Sequence, residues 1–161
     1  MTIRDSRKLA GAWVYKHLQG SNQQLPDEAI GTFARALLIA AKGDNVVSQQ
    51  ERDWVIGLTA AKGASEGLLA ELETYSGDED VESVLKSNPI SNKSRRNLIY
   101  CAIQASDADG AYNEGEKSAI RNIASKLGVG EDIVEQMEKF YQEEKALFNN
   151  KISLLFPDGV V

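Results

Sequence analysis

Two stretches of the chain, Phe33–Tyr75 and Leu98–Phe140, carry one pattern 65 positions apart. Each reads as an apolar segment, a short acidic turn, a polar-capped helix, a glycine and a second amphipathic helix. The turns are Gly43-Asp44-Asn45-Val46-Val47-Ser48-Gln49-Gln50-Glu51 and Ala108-Asp109-Gly110-Ala111-Tyr112-Asn113-Glu114-Gly115-Glu116. Identical residues in register include Ala40/Ala105, Asp44/Asp109, Glu51/Glu116 and Gly63/Gly128. Apolar class is kept more widely, at Leu38/Ile103, Val55/Ile120, Leu58/Ile123, Leu68/Ile133, Leu72/Met137 and Tyr75/Phe140. Those are positions a core constrains. The expectation is an all-α protein: a single multihelical domain from two duplicated three-helix repeats, about 27–76 and 91–145. An extra N-terminal helix falls within 1–25, and 149–161 forms a tail that packs on the bundle or on a second subunit.

Helical period dominates and no alternating strand pattern appears. A first helix covers about 4–19, with Leu9, Trp13, Val14 and Leu18 on one side and Gly20 as its stop. Pro26 suits a first helical position, with Asp27 and Glu28 at the positive end of the dipole. That helix runs to Lys42 and has an apolar face wide enough to be central and buried. Ser48-Gln49-Gln50-Glu51 is a capping box, in which the hydroxyl meets one free N–H and the glutamate reaches back to another. Gly63 stops the helix it opens, and Ser65 caps the next one, through Tyr75. A charged connector, 77–92, holds a short helix near Val81–Lys86 and closes at Pro89. The second copy follows with a buried helix Leu98–Ser106, one opened by Asn113-Glu114-Gly115-Glu116, and a last from about Glu131 to Phe148.

The bulk properties exclude several function classes. At 161 residues the chain suits one compact domain with a real core. A formal charge of −6 opposes non-specific nucleic-acid binding, which runs on clustered Lys and Arg. The small basic patch at Lys86, Lys93, Arg95 and Arg96 reads equally as a solvated helix start or a partner surface. Cys101 is the one cysteine, so neither an internal disulfide nor a multi-cysteine metal site can form. The first residues lack a signal-peptide apolar run, and the longest apolar run, Ala36–Ala41, falls far below the ~20 residues that span a bilayer. The expectation is a cytoplasmic protein that is not membrane-inserted.

The acidic turns admit two readings. From Ala105 the chain fits much of the twelve-residue EF-hand loop: Asp107 and Asp109 at the third and fifth positions, Gly110 at the sixth, Glu116 at the twelfth. Its first position is Ala105 rather than Asp, and the first copy keeps only Asp44 and adds Lys42. The other reading needs no metal. Asp109-Gly110 and Asp44-Asn45 make good helix stops, and Glu51 and Glu116 are each the fourth residue of a capping box. Between these lies a third arrangement, in which two turns packed about a pseudo-twofold axis share an acidic surface that holds a divalent ion weakly.

The combination of an apolar helix, Asp109-Gly110-x-x-Asn113-x-x-Glu116 and a helix ending Leu127-Gly128-Val129 resembles the TerB-like tellurite-resistance family, which includes the N-terminal region of DjlA-type co-chaperones. The resemblance covers about residues 27–145 and is strongest in the second copy. It implies two three-helix repeats around two central helices. It also implies a role in bacterial resistance to tellurite and related stress, with membrane-bound and metal-binding protein partners. The family's acidic-turn residues match Asp109, Gly110 and Glu116 here, with Asp44 and Glu51 as first-copy counterparts and Asp107 adding a carboxylate. The implied ion is a divalent cation of the Ca²⁺ or Mg²⁺ class. No enzymatic activity comes with the family.

Other candidates carry less. His17, one turn after Trp13, reads as a ring stacked on the indole or exposed. Cys101 reads as a small core residue, with no neighbouring His to activate it. The acidic residues of the last helix read as a solvated face. The leading expectation is therefore a non-enzymatic stress-resistance protein that binds partners through charged surfaces. A helical oligomerisation module, in which the apolar tail makes a homodimer contact, is the alternative, followed by an enzyme using Cys101 or the carboxylates.

Overall fold

The structure is a computed structural model that describes residues 5–42, 46–110 and 112–160. Among the described residues there are nine helices and no strand. They are α1 (Ser6–Gln19), α2 (Asp27–Lys42), α3 (Gln49–Ala61), α4 (Glu66–Thr74), α5 (Val81–Lys86), α6 (Pro89–Asn92), α7 (Arg95–Ser106), α8 (Glu114–Lys126) and α9 (Glu131–Leu155). The all-helical expectation holds, and two pairs of helix starts lie 65 residues apart, whereas α2 and α7 begin 68 apart. α3 and α8 both span 13 residues and begin at Gln49 and Glu114, while α4 and α9 begin at Glu66 and Glu131.

α2 is the centre. Its buried residues include Ile30, Phe33, Leu37, Leu38 and five alanines, whose small side chains let neighbours approach on every side. It packs against α3, α4, α5, α6, α7 and α8. α7 is its counterpart, with Leu98, Ile99, Ala102 and Ile103 shielded from solvent and contacts to α2, α3, α8 and α9. Burial of that much aliphatic surface is the main favourable term, at roughly 25 cal/mol per Å². No helix among the described residues is long and apolar enough to cross a membrane.

Four features depart from the sequence expectations. On α1 only Val14, of the four apolar residues assigned to its buried side, is covered; Leu9, Trp13 and Leu18 are exposed. The buried stripe is Gly11, Val14 and Tyr15, because Gly11 lies against the Lys62 carbonyl at the α3 end, where a Cβ would come within 2.4 Å of the oxygen. Pro89 opens α6 rather than closing the connector, since Asn88 Oδ1 accepts from the N–H groups of Ile90 and Ser91. Two members of the basic patch serve local structure: Lys86 and Arg95 pair with Glu82, and the Arg95 guanidinium donates to the Leu127 carbonyl at the end of α8. Finally, α9 continues past Phe148 to Leu155, and among the described residues of 149–161, expected to pack on the bundle or on a second subunit, only Ile152 is half-buried within one copy.

The acidic side of α9 is also more than a solvated face. Glu138 accepts from Tyr112 Oη at 2.8 Å and from the Arg121 guanidinium at 2.8 Å, locking α9 onto α8 and the turn before it.

Candidate functional site

Each acidic turn ends in a capping box, and both boxes form. Ser48 Oγ accepts from the Glu51 N–H at 3.2 Å, while Glu51 Oε2 accepts from the Ser48 N–H at 2.6 Å. In the second turn Asn113 Oδ1 accepts from the Glu116 N–H at 3.1 Å, and Glu116 Oε2 accepts from the Asn113 N–H at 2.8 Å. Local chemistry thus fixes one carboxylate oxygen of each glutamate.

Packing of α2 against α7 and α8 brings the two boxes together. A cavity of about 260 Å³ is lined by Ala40, Ala41, Lys42, Val46, Ser48 and Glu51 from the first turn. Ser106, Asp109, Asn113, Gly115, Glu116 and Ala119 line it from the second. Glu51 is only 6% exposed and Glu116 half-buried. The Glu116 carboxyl is pushed above the usual carboxylate range, first by burial and then by the negative charges of Asp109, Glu51 and Asp107; the Asn113 N–H opposes the shift. Lys42, which also lines the cavity, sends its ammonium to Asp78 and to the Ser76 carbonyl.

The structure therefore gathers Glu51, Asp109 and Glu116 around one space; Asp107 does not line it, although its charge acts on Glu116. Asp107 caps the C-terminus of α7, and its carboxylate accepts from Tyr141 Oη at 2.9 Å and from the Lys145 ammonium, both on α9. Both contacts hold α9 to the end of α7. Asp44 lies outside the described residues. Among the described residues no three His, Cys, Asp or Glu side chains form a ready metal-binding group. The donor set at the cavity is nevertheless one that a hard cation accepts: carboxylate oxygens whose mutual repulsion a positive ion relieves.

Glu116 makes a pH-dependent prediction. A carboxyl whose folded pKa is raised stabilises the fold below its unfolded value, near 4.5, and that contribution is lost as pH rises through the folded value. Glu116→Gln keeps an acceptor for the Asn113 N–H and removes the repulsion. Urea unfolding at pH 7 should find it as stable as wild type or slightly more so, with less stability gained on acidification. Glu116→Ala loses the cap contact and should cost about 1 kcal/mol.

The remaining candidates do not assemble a catalytic pair. Cys101 is buried, its thiol pushed up to about 11 by that burial against the opposing pull of Lys62, and it contacts Asn97 Oδ1 at 3.7 Å. His17 stacks on Trp13 with ring centroids 4.8 Å apart, on α1. What sequence reasoning missed is the role of Tyr112, Tyr141 and Lys145; they lie far along the chain from the carboxylates they bind and follow no motif.

Comparison with protein-family models and with curated proteins finds no match. Among solved structures, the crystal structure of a tellurite resistance protein from Nostoc punctiforme matches with a TM-score of 0.93 and 35% sequence identity. The match covers 98% of this chain and 99% of that one. Identity of that order over almost the whole length, with the same all-helical architecture, means that the chain belongs to the TerB-like tellurite-resistance family.

Proposed function

We propose that this protein acts in resistance to tellurite and related chemical stress as a non-enzymatic, cytoplasmic component. It docks to protein partners through charged surfaces, including partners in a membrane-bound resistance complex, and holds a divalent cation of the Ca²⁺ or Mg²⁺ class weakly between its acidic turns. Family membership supports the role. One observation carries the cation: two capping-box glutamates, 65 residues apart in sequence, line a single cavity together with Asp109. Glu51 and Glu116 would each contribute the oxygen not used in capping, and Asp109 a further carboxylate. Three carboxylates that line one space without forming a ready three-ligand group would hold an ion loosely, in the roughly 0.1–1 mM range of weak sites.

Isothermal titration with Ca²⁺, Mg²⁺, Mn²⁺ and Zn²⁺ tests this. Wild type should bind one ion of the hard class, and Asp109→Asn/Glu116→Gln should lose that heat. No heat at millimolar metal would end the cation reading. Tolerance of a tellurite-sensitive bacterial host expressing either form would then report whether resistance depends on the site. Wild-type expression that confers no protection would overturn the resistance role.

A further inference from the structure

The distal half of α9 presents an apolar surface that the other described residues do not cover. Contacts of Asp107 with Tyr141 and Lys145 are the last that tie α9 to the turn following α7. Beyond them the helix runs on for ten residues, about 15 Å at 1.5 Å per residue. Leu147 and Leu154 are 71% and 81% exposed, and Phe148, Leu155 and Phe156 are exposed as well. At 100° per residue the four that lie on the helix, Leu147, Phe148, Leu154 and Leu155, fall in one arc, continuous with the Ile133, Met137 and Tyr141 side that packs on the body. The stretch also contains Asn149, Asn150 and Ser153, poor helix formers, so a bare helix of this length is marginal without a covering partner.

Two charges sit in the middle of that apolar arc, Glu144 and Lys151, seven residues apart and on the same side. Their spacing selects the partner. A twofold axis crossing the helix between Leu147 and Phe148 places residue 144 of one copy beside residue 151 of the other, twice. A parallel pairing instead sets Glu144 against Glu144 and Lys151 against Lys151. We infer that this face binds a second copy of the same chain, forming an antiparallel pair of α9 helices in which Glu144 meets Lys151 across the axis. Glu144 already accepts from Tyr100 Oη on α7, which ties its carboxylate to the point where α9 leaves the body. Lys151 Nζ lies 5.2 Å from the centroid of the Phe148 ring, beside the proposed axis. Opposed charges at the centre of an apolar seam fix register and direction, as polar residues do in coiled coils.

Light scattering and sedimentation of the full chain, from micromolar to near-millimolar concentration, test the pairing. The expected mass rises from 17.6 kDa to twice that value. Glu144→Lys and Lys151→Glu, each placing like charges across the axis, should weaken the dimer about tenfold, and the double charge swap should restore it. Leu147→Asp/Leu154→Asp should leave a monomer with the body's thermal transition intact, since both side chains are exposed within one copy. A chain monomeric at every concentration overturns the inference. So does a dimer indifferent to the leucine changes, single charge changes that the swap does not rescue, or a monomer that binds anionic phospholipid vesicles through this face.

Discussion

Leu38→Ala and Ile103→Ala should each lower the free energy of unfolding by about 3–4 kcal/mol, measured as a shifted urea midpoint at unchanged slope. The two residues occupy the same register in the two copies, 65 apart, on the central helices α2 and α7; both belong to the core and neither is exposed. Truncation leaves a cavity walled by two helices that are themselves enclosed by others, so collapse around it is limited. For a chain of this length the corresponding loss in Tm is roughly 10 °C. Leu18→Ala provides the contrast. Its side chain is among the most exposed on α1, and the change should stay within about 0.5 kcal/mol. Equal and large costs at positions 38 and 103, with almost none at 18, would locate the core where the structure places it. A cost below about 1 kcal/mol at either central position would contradict the packing described for that helix.

What could be read from sequence divides along a physical line. Features set by neighbours three or four residues apart were legible. Ser48 with Glu51, and Asn113 with Glu116, announce helix starts because the donor and acceptor lie within one turn. The buried character of α2 and α7 was legible too, since apolar residues fill more than one face. Features set by distant contacts were not. Whether α1 buries Leu18 or Tyr15 depends on Gly11 meeting the Lys62 carbonyl, a contact between elements that sequence periodicity does not register. Asp107 fits a cation loop by spacing alone; only the approach of Tyr141 and Lys145, 34 and 38 residues away, assigns it to holding α9. The shared cavity lies between these extremes. Each glutamate has a local explanation in capping, and only the packing of α2 on α8 turns two local caps into one acidic space.

The repeat also hides an asymmetry that a matched pair of substitutions exposes. Gly63 and Gly128 occupy the same register, follow α3 and α8, and both adopt positive φ, 89° and 71°. Sequence treats them alike, as helix stops that only glycine fills easily. Their surroundings differ because α1 covers the first copy alone. A Cβ at Gly63 would come within 2.8 Å of the Arg7 carbonyl oxygen and 2.7 Å of Gln24 Nε2, whereas one at Gly128 would meet nothing within 4 Å. Gly128→Ala should therefore cost only the left-handed penalty of a side chain, about 1 kcal/mol. Gly63→Ala adds a clash with backbone that cannot swing aside, and should cost about 3 kcal/mol. Hydrogen exchange should localise the extra loss to α1, which is pushed from the α3–α4 corner while the two central helices stay protected. If the two variants were equally stable, α1 would not be seated on Gly63, and the contact that distinguishes the first copy from the second would be absent in solution.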